Sequence, residues 1–132
     1  MFKIEKQSFG YQLSFSDEVS VTEMKRWQDE SRTALTSAPL HFGVLIDMRM
    51  LKPGGVSPDA QALMVEGQAM YKTAGMKRSC VILQSATVTM QFERLAQKSG
   101  IYSFERYINA AKNPNWKAKA VAWLEKEIDP NK

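Results

Sequence analysis

Two short apolar runs, Val44-Leu45-Ile46 and Cys80-Val81-Ile82-Leu83, each precede a helix-start signal, Ser57-Pro58-Asp59 for the first and Ser85 for the second. A strand reads as continuously apolar when both faces of its sheet are covered, and a strand followed by a crossover helix is the unit that builds a parallel sheet. This pairing commits the chain to an α/β architecture.

The other elements fill in around these strands. Phe2 and Ile4, then Tyr11, Leu13 and Phe15, alternate with polar residues, so Phe2–Gln7 and Gly10–Ser16 read as half-buried strands of an N-terminal hairpin. Ser20-Val21-Thr22-Glu23 is a capping box, in which the serine accepts from the N–H three residues on and the glutamate reaches back. Val21, Met24, Trp27, Ser31, Ala34 and Leu35 then mark one face of a helix that runs to Thr36. Leu40–Met48 is the first buried strand. The second helix starts at Pro58, a proline suited to the first helical position, and carries Ala60, Leu63, Met64, Gly67, Met70 and Tyr71 on one side before Gly75 stops it after Ala74. Arg78–Gln84 is the second buried strand, and a third helix capped by Ser85 ends at Gly100. A strand over Phe104–Ile108 leads through Asn113-Pro114 to a terminal helix with Trp116, Ala120, Trp123 and Leu124 on one side. The order ββαβαβαβα predicts one domain over residues 1–132, a mixed and mainly parallel sheet of four to five strands with about four helices covering both faces.

At 132 residues the chain is long enough to bury a core without covalent help. Cys80 is the only cysteine, which rules out an intrachain disulfide and fits a reducing, cytoplasmic setting. No stretch approaches the ~20 apolar residues of a membrane span, and the first residues lack the apolar core of a signal peptide. The net charge of +4 is uneven: Lys72 to Lys119 holds nine Lys and Arg residues against Glu93 and Glu105 alone. Such a basic half can attract nucleic acid, an anionic lipid surface or an acidic partner, or simply keep helix faces soluble.

Several chemistries lack the residues they need. Zinc takes three or four clustered ligands, and His41 and Cys80 are the only soft ones. Those two stand near the starts of two strands, where a thiolate–imidazole pair competes with the simpler reading of a small buried cysteine. The Gly54-Gly55 stretch has no Gly-Lys-Ser/Thr after it, and neither GxGxxG nor GxSxG occurs. Single-stranded nucleic acid would need aromatics on an exposed basic sheet face, which covering helices deny. No metal, cofactor or catalytic activity is expected.

Attention therefore falls on Leu40–Pro58, because α/β sheets place their sites where loops leave the carboxyl ends of strands. Asp47 ends the strand, as a general base, a ligand's hydrogen-bond acceptor, or a residue that pins its own loop. Arg49, Lys52 and Ser57 flank the start of the second helix, whose free N–H groups could hold an anion; an ordinary glycine turn into a capped helix accounts for the same letters. Met48 and Met50 border the loop and Met64 and Met70 follow on the helix, as an adaptable apolar lining or as core filler. Leu51 at a loop apex is apolar where polar residues are usual, which suits contact with a membrane, a lipid-like ligand or a protein. Trp116, between Lys112 and Lys117, has the make-up of an interfacial anchor and equally of a residue packed on its own helix.

The order of elements, the strand end Ile46-Asp47, the strand Cys80–Leu83 and the closing Ala120-Val121-Ala122-Trp123-Leu124 together resemble the SpoIIAA-like family. These are small bacterial proteins related in fold to STAS domains of the anti-sigma-factor antagonist type and compared with Sec14-type lipid-binding domains. The resemblance implies a STAS-like fold with no known catalytic activity. It also implies a difference: in the sigma-antagonist branch the strand aspartate is followed by Ser-Ser-Gly with a phosphorylated serine, whereas Asp47 is followed by Met48-Arg49-Met50. On this basis two functions are expected. The first is binding of a small apolar or amphipathic ligand, with Asp47, Arg49, Lys52 and Ser57 at its polar end and Met50, Leu51, Met64 and Met70 along its apolar part. Leu51, Lys112, Trp116 and Lys117 would then touch a membrane surface at the inner face. The alternative is a protein-interaction module using the same loop and helix. A homodimer is expected on base rates alone.

Overall fold

A computed structural model describes all residues from Met1 to Lys132. The elements are β1 (Phe2–Gln7), β2 (Gly10–Val19), α1 (Val21–Leu35), β3 (Gly43–Val56), α2 (Pro58–Thr73), β4 (Arg78–Leu83), α3 (Ala86–Ser99), a short 3₁₀ turn (Tyr102–Phe104), β5 (Glu105–Asn109) and α4 (Trp116–Lys126). The helix starts follow their caps. The side chains of Ser20, Ser57 and Ser85 accept from the backbone N–H of Glu23, Ala60 and Val88. Glu23 departs from the expected capping box: its carboxylate lies 3.1 Å from the Met1 amine.

The five strands lie in chain order, β1-β2-β3-β4-β5; β1 runs antiparallel to β2 and every later pair is parallel. Each parallel step therefore moves the chain one strand in the same direction. Right-handed crossovers then put all three connecting helices on the same face of the sheet. That face holds the main core, with Met24 and Trp27 from α1, Met64 and Tyr71 from α2, and Phe92 and Leu95 from α3 over Leu13, Phe15, Val44 and Val81 of the sheet. The opposite face is covered by α4 alone, over β3, β4 and β5, with Leu45, Cys80, Ile82 and Ile108 against Ala120, Trp123 and Leu124. Helices thus lie on both faces as expected, but three to one.

Trp27 is the hinge of the main core. Its ring stacks on Tyr71 at 5.8 Å and meets Phe15 edge-on at 5.6 Å. Tyr71 is fixed in turn by a 2.8 Å hydrogen bond between its hydroxyl and Ser31. The α2 backbone can come this close only because residue 67 has no side chain: a Cβ on Gly67 would lie 2.1 Å from the Trp27 ring. Gly67 is buried, so a methyl there has nowhere to go. Gly67→Ala is expected to cost about 1–3 kcal/mol, the usual penalty for overpacking, read as a lower urea midpoint. An unchanged midpoint would show that α2 can slide off Trp27 freely.

Candidate functional site

The segment expected to be a loop after Met48 is strand. β3 pairs with β4 only as far as Asp47, opposite Ile82, and then continues beside β2 to Val56, with register shifts on the way. The Ser16–Val19 end of β2 supplies the partner backbone, and of it Asp17–Val19 lie beyond the strand expected from the sequence. Gly55 allows the close approach, since a Cβ there would sit 2.5 Å from the Asp17 carbonyl oxygen. The result is a two-stranded ribbon at the carboxyl edge of the sheet.

This ribbon sorts the predicted residues. Leu51 turns inward and is only 9% exposed, packed in the main core, so it is not an apolar loop tip. Met50 points the other way and is 71% exposed. Lys52 is exposed too, and Ser57 is spent on capping α2. Met64 is core and Met70 is half-buried on α2, so neither joins Met50. The eight residues expected to line one ligand are spread over core, cap and surface.

Asp47 pins its own strand end. Its carboxylate accepts from the Arg49 backbone N–H at 3.1 Å and from the guanidinium at 3.0 and 2.9 Å, a two-point pair that holds the Arg49 proton more tightly still. The other side of the guanidinium lies 4.4 Å over the Trp116 ring. Trp116 is thus half-buried beneath Arg49 rather than a free anchor, while Lys112 and Lys117 beside it are exposed. The stack ties the start of α4 to the end of β3, two places that no sequence pattern links.

The anion reading meets opposing charge. The cleft around the start of α2 is lined by Asp17, Glu18 and Glu23 as well as Lys52 and the Met1 amine. His41 and Cys80 do not meet, because Cys80 pairs with Leu45, four residues beyond His41, and is fully buried while His41 is exposed. Burial pushes the Cys80 thiol far up, which makes it inert. No helix is long and apolar enough to cross a membrane.

A cavity of about 30 Å³ lies between the sheet and α2, lined by Met48, Met64, Gln68, Tyr71, Ser79 and Glu105 among others. It has room for roughly two waters, whereas ligand pockets run to ~300–1,000 Å³. Nothing in it supports the expected lipid-like ligand.

Glu105 is the residue the sequence reading missed. It is buried, its carboxylate accepts from Ser79 Oγ at 2.9 Å and from the Tyr107 hydroxyl at 2.5 Å, and burial pushes its pKa up to about 7. The signal was available: Glu105 and Tyr107 are two apart on a predicted strand and so share a face.

With this geometry in view, the chain can be set beside known proteins. It matches no protein-family model and no curated protein. Among solved structures it matches the anti-sigma factor antagonist SpoIIAA in its unphosphorylated form, with a TM-score of 0.50 and 14% identity over 89% of this chain and 96% of that one. The fold is SpoIIAA-like. The resemblance read from the sequence therefore holds for the architecture, a five-stranded mixed sheet with four helices. On this SpoIIAA-like sheet the Asp47–Arg49–Trp116 stack occupies the carboxyl edge. Its worth is measurable by a double-mutant cycle on Arg49→Ala and Trp116→Ala, with an expected coupling of about 0.5–1 kcal/mol in unfolding free energy. Additive effects would mean that the two side chains are neighbours without interaction.

Proposed function

We propose that the protein is a non-enzymatic, cytoplasmic regulatory module that docks a protein partner on the carboxyl edge of its sheet. The observation that carries this reading is the SpoIIAA-like architecture over 89% of the chain, because SpoIIAA is an antagonist of an anti-sigma factor, a protein named for its effect on another protein. The ribbon at the end of β3 gives the docking surface. Met50 stands exposed on paired backbone, so a partner meets a large apolar side chain already held in place and loses little entropy in ordering it. Lys112 and Lys117 flank Trp116 under Arg49, while Lys52 shares its end of the ribbon with Asp17, Glu18 and Glu23, so the edge offers charges of both signs to a partner that has an apolar pocket for Met50. Met48-Arg49-Met50 stand where the related branch carries its phosphorylated serine, so this docking works without a phosphoserine at that place. A lipid-like ligand has no observation in its favour.

Met50→Asp tests the surface, since an exposed position tolerates the change within about 0.5 kcal/mol of stability. A partner retained by the wild-type protein is expected to be lost by the variant. With both components purified, calorimetry should show at least about tenfold weaker binding, or ~1.4 kcal/mol. Undiminished binding by Met50→Asp would remove the ribbon from the interface. A lipid carried through purification, seen by native mass spectrometry, would overturn the partner reading itself.

A further inference from the structure

Glu105 is the only buried carboxylate of the chain, and no cation pairs with it: the Arg106 guanidinium, which lines the same outer cleft, donates instead to the Glu105 and Ser103 backbone carbonyls at 3.1 and 3.2 Å. Its side chain leaves β5 toward the face that carries α1, α2 and α3, where Ser79 Oγ and the Tyr107 hydroxyl donate to it. None of the ion pairs in the structure includes it. Its neighbour Arg106 leaves β5 on the opposite face, stacked 4.2 Å over Trp123 and bonded to Asp129 at 2.9 Å.

The elements around the cavity add no positive charge. α1 contributes Trp27, α2 contributes Met64, Gln68 and Tyr71, and α3 contributes Phe92. Lys72 on α2 is committed to the Gly100 carbonyl at 3.2 Å. At the rim, Glu93 of α3 accepts from the Tyr102 hydroxyl at 3.3 Å. The Cys80 thiol of β4 lies with the α4 side of the sheet. Glu105 also borders an outer cleft with Glu93, Tyr102, Ser103, Arg106, Tyr107 and Asn131, so a proton has a short path from water to the carboxyl.

We propose that Glu105, Ser79 and Tyr107, all on β4 and β5, form a proton-operated latch in the sheet floor of the cavity that α2 and α3 cover. With a proton on Glu105 the group is neutral and α2 and α3 sit firmly on the sheet; when the proton leaves, the buried charge draws water into the cavity and loosens that seat. Burying a carboxylate without a counter-charge is costly, and two hydroxyl donors offset only part of the cost. The carboxyl accordingly sits at about 7 in the folded chain, against 4.5 ordinarily, with burial as the dominant cause. Because the folded state holds the proton more tightly than the unfolded one, the stabilisation is complete below the ordinary carboxylate range. It is lost as pH rises toward about 7 and stays lost above. Asp129, held below its usual range by the Asn131 N–H and Arg106, acts in the opposite sense and only in more acid solution. The latch is independent of whether the carboxyl edge docks a partner.

Urea unfolding of the full chain and of Glu105→Gln across about pH 5 to 8.5 tests it. The wild-type folded-to-unfolded ratio is expected to fall on the order of a hundredfold up to neutrality and then level off, while the variant lacks this fall. His41 is present in both proteins, so the difference between the curves isolates residue 105. Amide exchange in α2 and α3, corrected for intrinsic rates, should quicken above neutrality in the wild type and not in Glu105→Gln. Parallel stability curves, or exchange in the two helices that ignores pH, would overturn the proposal. Should the variant fail to fold, infrared spectra of the wild type decide: a protonated-carboxyl band must be present just below neutrality and vanish above it, and its absence would sink the latch.

Discussion

Four parallel strands laid down in chain order leave the connecting helices no choice of side, because a right-handed crossover that always steps the same way returns to the same face. α1, α2 and α3 crowd that face, and only α4, which follows the last strand, remains for the other. The thick side becomes a core built on Trp27, Tyr71 and Phe92. The thin side must hold a single helix by specific bonds: Trp123 Nε1 donates to the Ser79 carbonyl at 2.9 Å, and Arg78 reaches the Leu124 carbonyl at 3.0 Å.

The same asymmetry decides the fate of the charges on β5. Alternate residues of a strand face opposite sides, so Glu105 and Tyr107 enter the thick core while Arg106 emerges under α4. A glutamate and an arginine adjacent in sequence thereby send their side chains to different partners, and Arg106 reaches only the backbone carbonyl of Glu105, at 3.1 Å. Arg106 finds Asp129 and Trp123; Glu105 finds only hydroxyl donors. The strained electrostatics at Glu105 follow from topology, since either residue alone would pair easily at a surface.

At the carboxyl edge the interplay is different. β3 outruns β4 and stays paired with β2, so the residues after Asp47 gain a rigid backbone that alternates Leu51 into the core and Met50 outward. Asp47 and Arg49 close on each other, and Trp116 closes on Arg49 from α4. The edge is thus paired strand backbone with an exposed apolar side chain and charges of both signs nearby. On the reading proposed above, that edge meets the surface of a protein partner.

Local pattern carried the fold class, the order of elements and nearly every helix start, because caps such as Ser57-Pro58 and apolar periodicity act within a few residues. The resemblance to the SpoIIAA-like architecture was legible for the same reason. The loop-pinning role of Asp47 was among the readings of its place beside a turn, and the burial of Cys80 was legible in its apolar run. The ribbon at Met50–Val56 was not, since it depends on the far end of β2 lying alongside, a pairing made only when the sheet assembles. Nor could the letters say that Leu51 points inward, that Trp116 lies beneath Arg49, or that the cavity under α2 is too small for a lipid. The sequence by itself determined the helices and the strand segments, with β3 only up to Met48; the tertiary structure decided the ribbon beyond it and which side of the sheet each charge would face, because those depend on strand pairing, chain handedness and packing rather than on any residue's neighbours.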